Sequence, residues 1–251
     1  MSSANKTRLD QHLVNLGLFD SRAQSAAAIQ AQQVKVNGAP ARKNSQMVST
    51  QDEIIAAPAH GYVSRGGLKL EKALAHFAYP MQGKTVLDIG ASTGGFSDVA
   101  LQNGAAHILA VDVGRDQLHA KLKTDARVTN LEGLNARHIT PETFDRPIDA
   151  LVCDVSFISL ELALDSALNI IAPGGWALAL IKPQFEAGKD KLGKNGVVSD
   201  PALHAQICAR IEAWVTAHPS GWQVDGIIES PIKGPQGNVE FLIGARNPTR
   251  P

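Results

Sequence analysis

Four charged side chains stand at or near predicted strand ends, where a packed core alone would not place them. Asp154 and Lys182 close the fourth and fifth predicted strands of the main domain, and Glu240 lies in the last predicted strand. Lys69 lies just ahead of the first predicted strand. Because the carboxyl ends of parallel strands meet at one edge of a sheet, where such folds bind ligands, we expect Asp154 and Lys182 to face one site.

Two lysines between two acids can orient a hydroxyl group and remove its proton. A lysine serves as a base when burial and a neighbouring cation lower its pKa from about 10.4. We therefore assign Lys182 as the base or the steering group for a ribose hydroxyl, with Asp154 orienting it. Lys69 and Glu240 would position the ribose and tune Lys182. Taken singly, each residue also fits a plainer interpretation, such as a solvated strand-end lysine or, for Glu240, a charge that protects a sheet edge.

A glycine-bearing loop joins the first predicted strand to the following helix. Residues 88–96 have the sequence Asp-Ile-Gly-Ala-Ser-Thr-Gly-Gly-Phe, and glycines at such a crossing let a ligand approach the backbone. Dinucleotide-binding loops carry G-x-G-x-x-G instead. Here an acid precedes the first glycine, where it would repel a pyrophosphate and favour a cationic sulfonium. The loop therefore favours S-adenosylmethionine over a nicotinamide cofactor.

The second predicted strand ends in an acid that suits the sugar of such a cofactor. Asp112 can accept hydrogen bonds from both ribose hydroxyls of a nucleoside ligand. We expect no metal, because the histidines form no paired motif and the two cysteines, Cys153 and Cys208, lack metal-ligand spacing. The predicted cofactor-binding residues are Asp88, Gly90, Ser92, Gly94, Gly95, Phe96, Asp112 and Asp154.

The loop over residues 88–96 resembles that of class I methyltransferases. With Lys69, Asp154, Lys182 and Glu240 standing in order, the chain is similar to the FtsJ-like ribose 2′-O-methyltransferases, and most of all to their TlyA group. This resemblance implies S-adenosylmethionine as cofactor, 2′-O-methylation of a cytidine ribose as reaction, and ribosomal RNA or ribosomal subunits as partner. The segment Asn135-Ala136-Arg137 also looks like the family's segment beside the cofactor.

The first fifth of the chain has the pattern of a small basic module. Residues 1–50 carry six basic side chains against two acids, Asp10 and Asp20, in a chain whose formal net charge is zero. Leu9, Leu13 and Leu16 recur at helical spacing, and Ser21 can cap a second helix. Residues 34–36 alternate like a strand and precede an Asn-Gly turn signal. The pattern predicts two short helices followed by a hairpin.

This module resembles the alpha-L RNA-binding domain found in a small-subunit ribosomal protein and in pseudouridine synthases. The similarity covers roughly residues 7–55, and the polar and then Ala/Pro-rich residues 49–59 look like a linker. Basic side chains and a helix N-terminus both suit phosphate. A small dimerisation or docking module is the alternative. The residues predicted to contact RNA are Arg8, Ser21, Arg22 and Lys35, together with Arg65 of the main domain.

Strand-like and helical segments alternate from residue 84 onward, which predicts a mostly parallel sheet with helices on both faces. We therefore expect an α/β, Rossmann-like class I methyltransferase fold with a seven-stranded sheet, following a small N-terminal α+β domain. The predicted domains are residues 1–58, including the linker, and 59–251. The last two strands should form an antiparallel hairpin, because no long helix joins them. The strands are predicted at residues 85–89, 107–112, 127–131, 148–154, 176–181, 223–229 and 239–245.

Three other functions are open at this stage. A non-catalytic RNA-binding or ribosome-assembly protein could retain the fold as a scaffold, although such a protein would not need the four charged residues. An amine-directed methyltransferase would favour an Asp/Asn-Pro-Pro-aromatic run, and Asp154 is followed by Val-Ser-Phe. Relatives of this group have been labelled haemolysins, but the apolar runs are far shorter than a membrane span. With no signal-like N-terminus either, we expect a cytoplasmic protein.

Overall fold

The computed structural model describes residues 6–19 and 21–249. The chain divides into two compact units, residues 1–61 and 62–251. Asp20, one of the two acids of residues 1–50, lies outside the described residues. Residues 1–5 and 250–251, at the ends of the predicted domains, also lie outside them.

The first unit contains the two helices and the hairpin that the sequence predicts. Ser21 caps the second helix by accepting a hydrogen bond from the backbone N–H of Gln24. Asn37 and Gly38 both adopt positive φ angles, of 50° and 79°, as a tight hairpin turn requires. The elements are β1 (Thr7–Arg8), α1 (Leu9–Asn15), α2 (Arg22–Gln30), β2 (Val34–Val36), β3 (Ala39–Pro40), β4 (Met47–Val48) and β5 (Ile54–Ala56).

The predicted linker over residues 49–59 is wrong in part, because Ile54–Ala56 is a strand. Strand β5 pairs antiparallel with β2, so that β3, β2 and β5 form a three-stranded sheet. Asp52 fixes the turn before the strand, accepting hydrogen bonds from the Ser49 N–H and the Asn37 side-chain amide, each at 2.7 Å. The polar composition that suggested a linker is therefore the composition of a turn.

A small core of its own holds this unit together. Leu9 and Leu13 of α1 pack with Ile29 of α2 and Val34 of β2, and all four are buried. Leu16, the third leucine of the predicted stripe, is exposed because α1 ends at Asn15. Burying side chains of this size removes enough apolar surface from water for a short module to hold its shape.

The second unit is built on a seven-stranded sheet with the order β11-β12-β10-β9-β6-β7-β8. Strand β12 runs antiparallel to both β10 and β11, and the other neighbouring pairs are parallel. The predicted fold class and terminal hairpin are thus confirmed. The elements are α3 (Gly67–Phe77), β6 (Thr85–Ile89), α4 (Gly95–Gln102), β7 (His107–Asp112), α5 (Ala120–Lys123), β8 (Val128–Glu132), β9 (Ile148–Cys153), α6 (Leu160–Leu168), β10 (Ile171–Ile181), α7 (Pro183–Glu186), α8 (Pro201–Thr216), β11 (Gln223–Glu229) and β12 (Phe241–Arg246).

Helices cover both faces of this sheet, which explains why its central strands are apolar at most positions. On one face, Leu87 and Leu151 pack with residues of α6 and α8. On the other, Val86 and Val152 pack with residues of α3 and α4. Successive strand residues therefore enter two separate cores, and both cores hold the strand ends in place.

Glu240 lies one residue before the last strand, so its predicted place within that strand is wrong. Residues 235–237 form a 3-10 turn, and the next side chain, Asn238, accepts a hydrogen bond from the Val198 N–H at 3.1 Å. The chain therefore joins the sheet only from Phe241. Strand β10 in turn begins five residues earlier than expected, at Ile171, with an irregularity in its pairing before Trp176. Among the described residues, no helix combines the length and the apolar character needed to cross a membrane.

Candidate active site

The four charged residues singled out in the sequence meet at one end of the sheet. Asp154 follows β9 directly, and Lys182 follows β10, its parallel neighbour. Lys69 comes from the first turns of α3 and Glu240 from the residue before β12. Lys182 Nζ lies 2.5 Å from Asp154 Oδ1, while Lys69 Nζ lies 3.4 Å from Asp154 Oδ2 and 2.8 Å from Glu240 Oε2.

These residues form a chain of alternating charge that is largely removed from water. Lys69, Lys182 and Glu240 are buried, with Glu240 only 1% exposed, and the Asp154 side chain is 19% exposed. Lys182 Nζ also donates a hydrogen bond to Ser156 Oγ at 2.9 Å. Buried charges are tolerated when each has a partner of opposite sign, so the alternation explains how two lysines can share this site.

A cavity of about 260 Å³, here named the acceptor cavity, opens over this chain of charges. Its wall includes all four charged residues, and Arg65 and Gly66 border it from the segment before α3. Gly95 and Phe96 of the glycine-bearing loop line it as well. The wall of the cavity is therefore polar, with three basic and two acidic side chains, as a site for a hydroxylic ligand would be.

A second cavity, of about 390 Å³ and here named the cofactor cavity, adjoins the first. The two share Gly90, Ser92, Asp154 and Ser156 in their walls. The cofactor cavity has apolar sides with a few polar groups, and its volume is within the range of small-molecule sites, roughly 300–1,000 Å³. Its wall also includes Val113, Leu134 and the segment Asn135-Ala136-Arg137.

Asp112 lies in the wall of the cofactor cavity, at the end of β7. Its two carboxylate oxygens accept hydrogen bonds from the Ser92 N–H at 2.8 Å and the Gly114 N–H at 2.7 Å. The loop that follows is held by Glu132, which accepts hydrogen bonds from the backbone N–H groups of residues 116, 117 and 118. These backbone hydrogen bonds, chiefly the one from Leu118, hold the pKa of Glu132 at about 2.

Glycine is required at two positions of the loop, for different reasons. Gly90 has a φ of +78°, and a Cβ there would lie 2.8 Å from the carbonyl oxygen of Asp154, in the wall shared by the cavities. Gly94 has a φ of +94°, and its Cβ would lie 2.1 Å from Leu122 Cδ1. Gly94 lines neither cavity, so it serves helix packing rather than direct contact with a ligand there.

Asp88 is buried beneath the loop and lines neither cavity. One oxygen accepts a hydrogen bond from Ser97 Oγ at 2.6 Å, and the other, Oδ1, has no hydrogen-bond partner among the described residues. Burial raises the pKa of Asp88 to about 7, with Asp154 and Asp112 adding to the increase and the Ser97 hydrogen bond opposing it. Of the predicted cofactor-binding residues, Gly90, Ser92, Asp112 and Asp154 line the cofactor cavity, Gly95 and Phe96 line only the acceptor cavity, and Asp88 and Gly94 line neither.

Phe157 is a site residue that the sequence did not single out. It lines the cofactor cavity and is 90% exposed, although large aromatic side chains are seldom so exposed. Its φ of +65° lies in the left-handed region, which is costly for a residue with a Cβ. Its ring lies 4.9 Å from the ring of Phe185, which borders the acceptor cavity. The strained backbone and the exposed ring together make Phe157 a candidate for contact with a ligand.

Comparison with known protein families agrees with this geometry. The FtsJ-like methyltransferase family matches residues 62–247, and the S4 domain matches residues 7–54. The chain belongs to the FtsJ-like methyltransferase family. The resemblance stated from the sequence is therefore confirmed for both parts of the chain.

Relatives of this FtsJ-like methyltransferase are similar over nearly its whole length. The 16S/23S rRNA (cytidine-2′-O)-methyltransferase TlyA of Mycobacterium tuberculosis is 42% identical over 98% of this chain and 92% of its own. Hemolysin A of Brachyspira hyodysenteriae is 37% identical over 94% of this chain and 98% of its own. The solved structure of a candidate hemolysin from Streptococcus thermophilus is 40% identical, with a TM-score of 0.76, and covers 99% of this chain and 91% of its own.

The residues predicted to contact RNA are divided between the two units of this FtsJ-like methyltransferase. Arg65 lines the acceptor cavity. In the S4 domain, Lys35 is exposed on β2. Arg8 and Arg22 both pair with the buried Asp10, each at 2.9 Å, while their own side chains remain about half exposed. The hydrogen bond from Arg8 is the largest of the effects that hold the pKa of Asp10 well below its usual range.

Proposed function

We propose that this chain transfers a methyl group from S-adenosylmethionine to the 2′-hydroxyl of a cytidine ribose in ribosomal RNA. The observation that carries the proposal is the buried chain of charges Glu240–Lys69–Asp154–Lys182, which stands where the two cavities adjoin. A donor and an acceptor bound in adjoining cavities would meet at Asp154 and Lys182. Membership of the FtsJ-like methyltransferase family supports the same reaction.

The cofactor cavity fits S-adenosylmethionine by size and by the chemistry of its wall. Asp112 is an acceptor for the ribose hydroxyls, and Val113, Leu134 and Ala136 offer apolar contact to an adenine ring. Gly90, whose missing side chain leaves the shared wall open, lets a ligand approach the backbone. When bound, S-adenosylmethionine supplies an electrophilic methyl group on a cationic sulfonium.

The reaction joins the hydroxyl oxygen to the methyl carbon, breaks the carbon–sulfur bond and releases the hydroxyl proton. Lys182 Nζ steers the hydroxyl and, as the neutral amine left after its ammonium has lost a proton to solvent, takes the hydroxyl proton. The nearby Asp154 Oδ1 balances the ammonium charge that is restored. Lys69 holds Asp154 from the other side and is itself held by Glu240. Such fixed charges contribute to rate because they need no rearrangement when the reaction occurs.

The mouth of the site suits an unpaired nucleotide. The exposed ring of Phe157, with Phe185 beside it, offers a surface for a base that has left its stack. Arg65 in the acceptor cavity can pair with a backbone phosphate. The S4 domain adds RNA contacts of its own. The relative from Mycobacterium tuberculosis is named for cytidine 2′-O-methylation of 16S and 23S rRNA.

The second candidate function, a non-catalytic RNA-binding protein, lacks an observation in its favour. RNA binding without chemistry calls for exposed basic groups, whereas Lys69, Lys182 and Glu240 are buried at considerable desolvation cost. Buried ion pairs beside a cofactor-sized cavity reduce stability, and catalysis explains their presence better than RNA binding alone does.

The test is tritiated-methyl transfer from S-adenosylmethionine to purified large and small ribosomal subunits, followed by mapping of the ribose that resists alkaline cleavage. We expect label at one or a few cytidines. Label on a base nitrogen would contradict the hydroxyl assignment. Binding of S-adenosylmethionine without transfer to either subunit or to free rRNA would contradict the substrate assignment, and absence of binding would favour the RNA-binding scaffold.

A further inference from the structure

Gln184 lines the acceptor cavity and was not among the residues predicted from the sequence. It follows Lys182 by two residues, in the first turn of α7, and its side chain is one of the few buried polar groups of the second unit. Its relative exposure is 9%. The side-chain amide Nε2 donates a hydrogen bond to Glu240 Oε1 at 3.3 Å. Gln184 is thus tied to the chain of charges but carries no charge itself.

The contact with Glu240 fixes which way the Gln184 amide points. A carboxylate can only accept hydrogen bonds, and Glu240 Oε2 forms an ion pair with Lys69 Nζ at 2.8 Å. The amide nitrogen must therefore face Glu240, and the carbonyl oxygen Oε1 must face away from it. A reversed amide would set two oxygens against each other at this distance.

Gln184 Oε1 is a buried acceptor with no hydrogen-bond partner among the described residues. Asp154 Oδ1 and Glu240 Oε2 also lack hydrogen bonds of good geometry, but each lies within ion-pair distance of a lysine. Gln184 Oε1 belongs to an uncharged amide, so no ion pair offsets its missing hydrogen bond. A buried acceptor without a donor destabilises a fold. Gln184 lines the acceptor cavity, although Oε1 itself has almost no accessible surface. A small rotation of the side chain would bring Oε1 to a donor supplied by a ligand in that cavity.

We propose that Gln184 Oε1 accepts the hydrogen of the 2′-hydroxyl that is to be methylated. The inference rests on the proposed function. In an RNA chain the 3′ and 5′ oxygens of the ribose are esterified, so the 2′-hydroxyl is the only hydroxyl donor that the sugar offers. Lysine ammonium groups can donate to this oxygen but cannot receive its hydrogen. Among the polar groups around the acceptor cavity, Gln184 is neutral, buried and without a donor.

This contact orients the acceptor before the chemical step. With its hydrogen held by Gln184, the hydroxyl oxygen presents its lone pairs to the rest of the site, including Lys69 and Lys182. A hydroxyl turns readily about its C–O bond. In the reacting state Lys182 is a neutral amine rather than an ammonium, so the same hydrogen can pass to Lys182 Nζ as the oxygen–carbon bond forms. The contact also distinguishes ribose from deoxyribose at the target position, because only ribose can satisfy the buried carbonyl.

The test is a comparison of binding constants for two versions of one rRNA fragment that the wild-type protein methylates. They differ in a single atom, with ribose or 2′-deoxyribose at the mapped target nucleotide. We expect Gln184→Met to reduce the ribose-to-deoxyribose affinity ratio roughly three- to tenfold, the range of one net hydrogen bond. Gln184→Lys, which keeps an N–H donor for Glu240 but has no acceptor, should reduce the ratio similarly.

Gln206→Met is the matched control, because Gln206 is an exposed glutamine on α8, and it should leave the ratio unchanged. An unchanged ratio in both folded Gln184 variants, with methylation by the wild type intact, would overturn the inference alone. Failure of the wild type to methylate any rRNA would instead overturn the proposed function. Thermal unfolding of each variant confirms that the proteins compared are folded.

Discussion

Asp154 Oδ1 lies 2.5 Å from Lys182 Nζ, and this ion pair stands at the boundary between the cofactor and acceptor cavities. The arrangement follows from the sheet. Strands β9 and β10 are parallel neighbours in which Cys153 pairs with Ala179, so the residues that follow them emerge side by side. A carboxylate and an ammonium brought together in this way can hold a hydroxyl between two bound molecules.

Removal of the Phe157 ring should weaken the productive binding of RNA. Phe157→Ala is expected to reduce kcat/KM for methylation by roughly tenfold or more, because stacking of one base on an aromatic ring contributes about 1–3 kcal/mol. Phe157→Tyr should retain most of the activity. The S-adenosylmethionine dissociation constant of both variants, measured in parallel by calorimetry, separates an RNA effect from a cofactor effect. Full activity of Phe157→Ala would contradict the stacking role.

The buried carboxyl of Asp88 should make stability fall as pH rises towards neutrality. Its pKa in the folded protein, about 7, lies above the ordinary value of 3.8, so its contribution is complete below pH 3.8 and is lost as pH rises through 7. By linkage the full loss is on the order of 4 kcal/mol. Asp88→Asn should flatten this part of the profile.

The measurement for Asp88 is the free energy of urea unfolding between pH 4 and 8. Asp116→Asn is the control, because the Asp116 side chain is 95% exposed and its replacement should leave the profile of the wild type unchanged. Parallel profiles for wild type and Asp88→Asn would show that Asp88 is not the titrating group.

The strand framework and the four charged residues could be predicted from the sequence because both depend on local patterns. Runs of apolar residues bounded by glycine or polar residues place β6, β7 and β11 at their observed bounds. Parallel topology then brings the residues after β9 and β10 together without knowledge of any side-chain contact. The N-cap at Ser21 is equally local, since it needs only a hydroxyl ahead of a helical run.

The other features of the fold and the site could not be predicted, because they depend on contacts between distant parts of the chain. The proposed role of Gln184 depends on its hydrogen bond to Glu240, which lies 56 positions further along the chain. Strand β5 is recognisable only from its pairing with β2, since three residues carry little periodicity of their own. Asp88 and Gly94 belong to a motif that suggests ligand contact, yet their actual neighbours are Ser97 and Leu122. Such partners are set by packing, which no short motif encodes.

Two basic residues of the S4 domain should respond differently to truncation. Lys35→Ala should weaken RNA binding and reduce the slope of log K against log salt by about 1, without loss of stability, because the side chain is exposed. Arg22→Ala should weaken binding and also lower the unfolding temperature, because the buried Asp10 loses one of its two partners. Salt titrations and thermal unfolding test both; equal stability losses in the two variants would contradict this distinction.

A methyl group at Gly94 should destabilise the protein more than one at Gly83. Both have positive φ angles, of 94° and 75°, so both alanine variants carry the left-handed backbone cost of about 1 kcal/mol. Only at Gly94 would the added Cβ meet neighbours, Leu122 and Leu118, both of which are buried. Overpacking should add about 1–3 kcal/mol. Urea unfolding of the two variants measures the difference, and equal losses would contradict the packing role.

Lys182 is the residue assigned to steer the hydroxyl and take its proton. Replacing Lys182 with methionine tests this role, because methionine keeps most of the side-chain volume. Lys72→Met is the matched control, since Lys72 is an exposed lysine on α3, the helix that carries Lys69. Both variants should bind S-adenosylmethionine within a few-fold of the wild type, as Lys182 lines the acceptor cavity and not the cofactor cavity.

The decisive measurement is the single-turnover rate of tritiated-methyl transfer from S-adenosylmethionine to ribosomal RNA. We expect Lys182→Met to lose about 10²–10⁴-fold in rate, the usual contribution of a positioned proton acceptor, while Lys72→Met keeps the wild-type rate. A Lys182→Met protein that is folded, binds the cofactor and transfers methyl at the wild-type rate would contradict this role of Lys182.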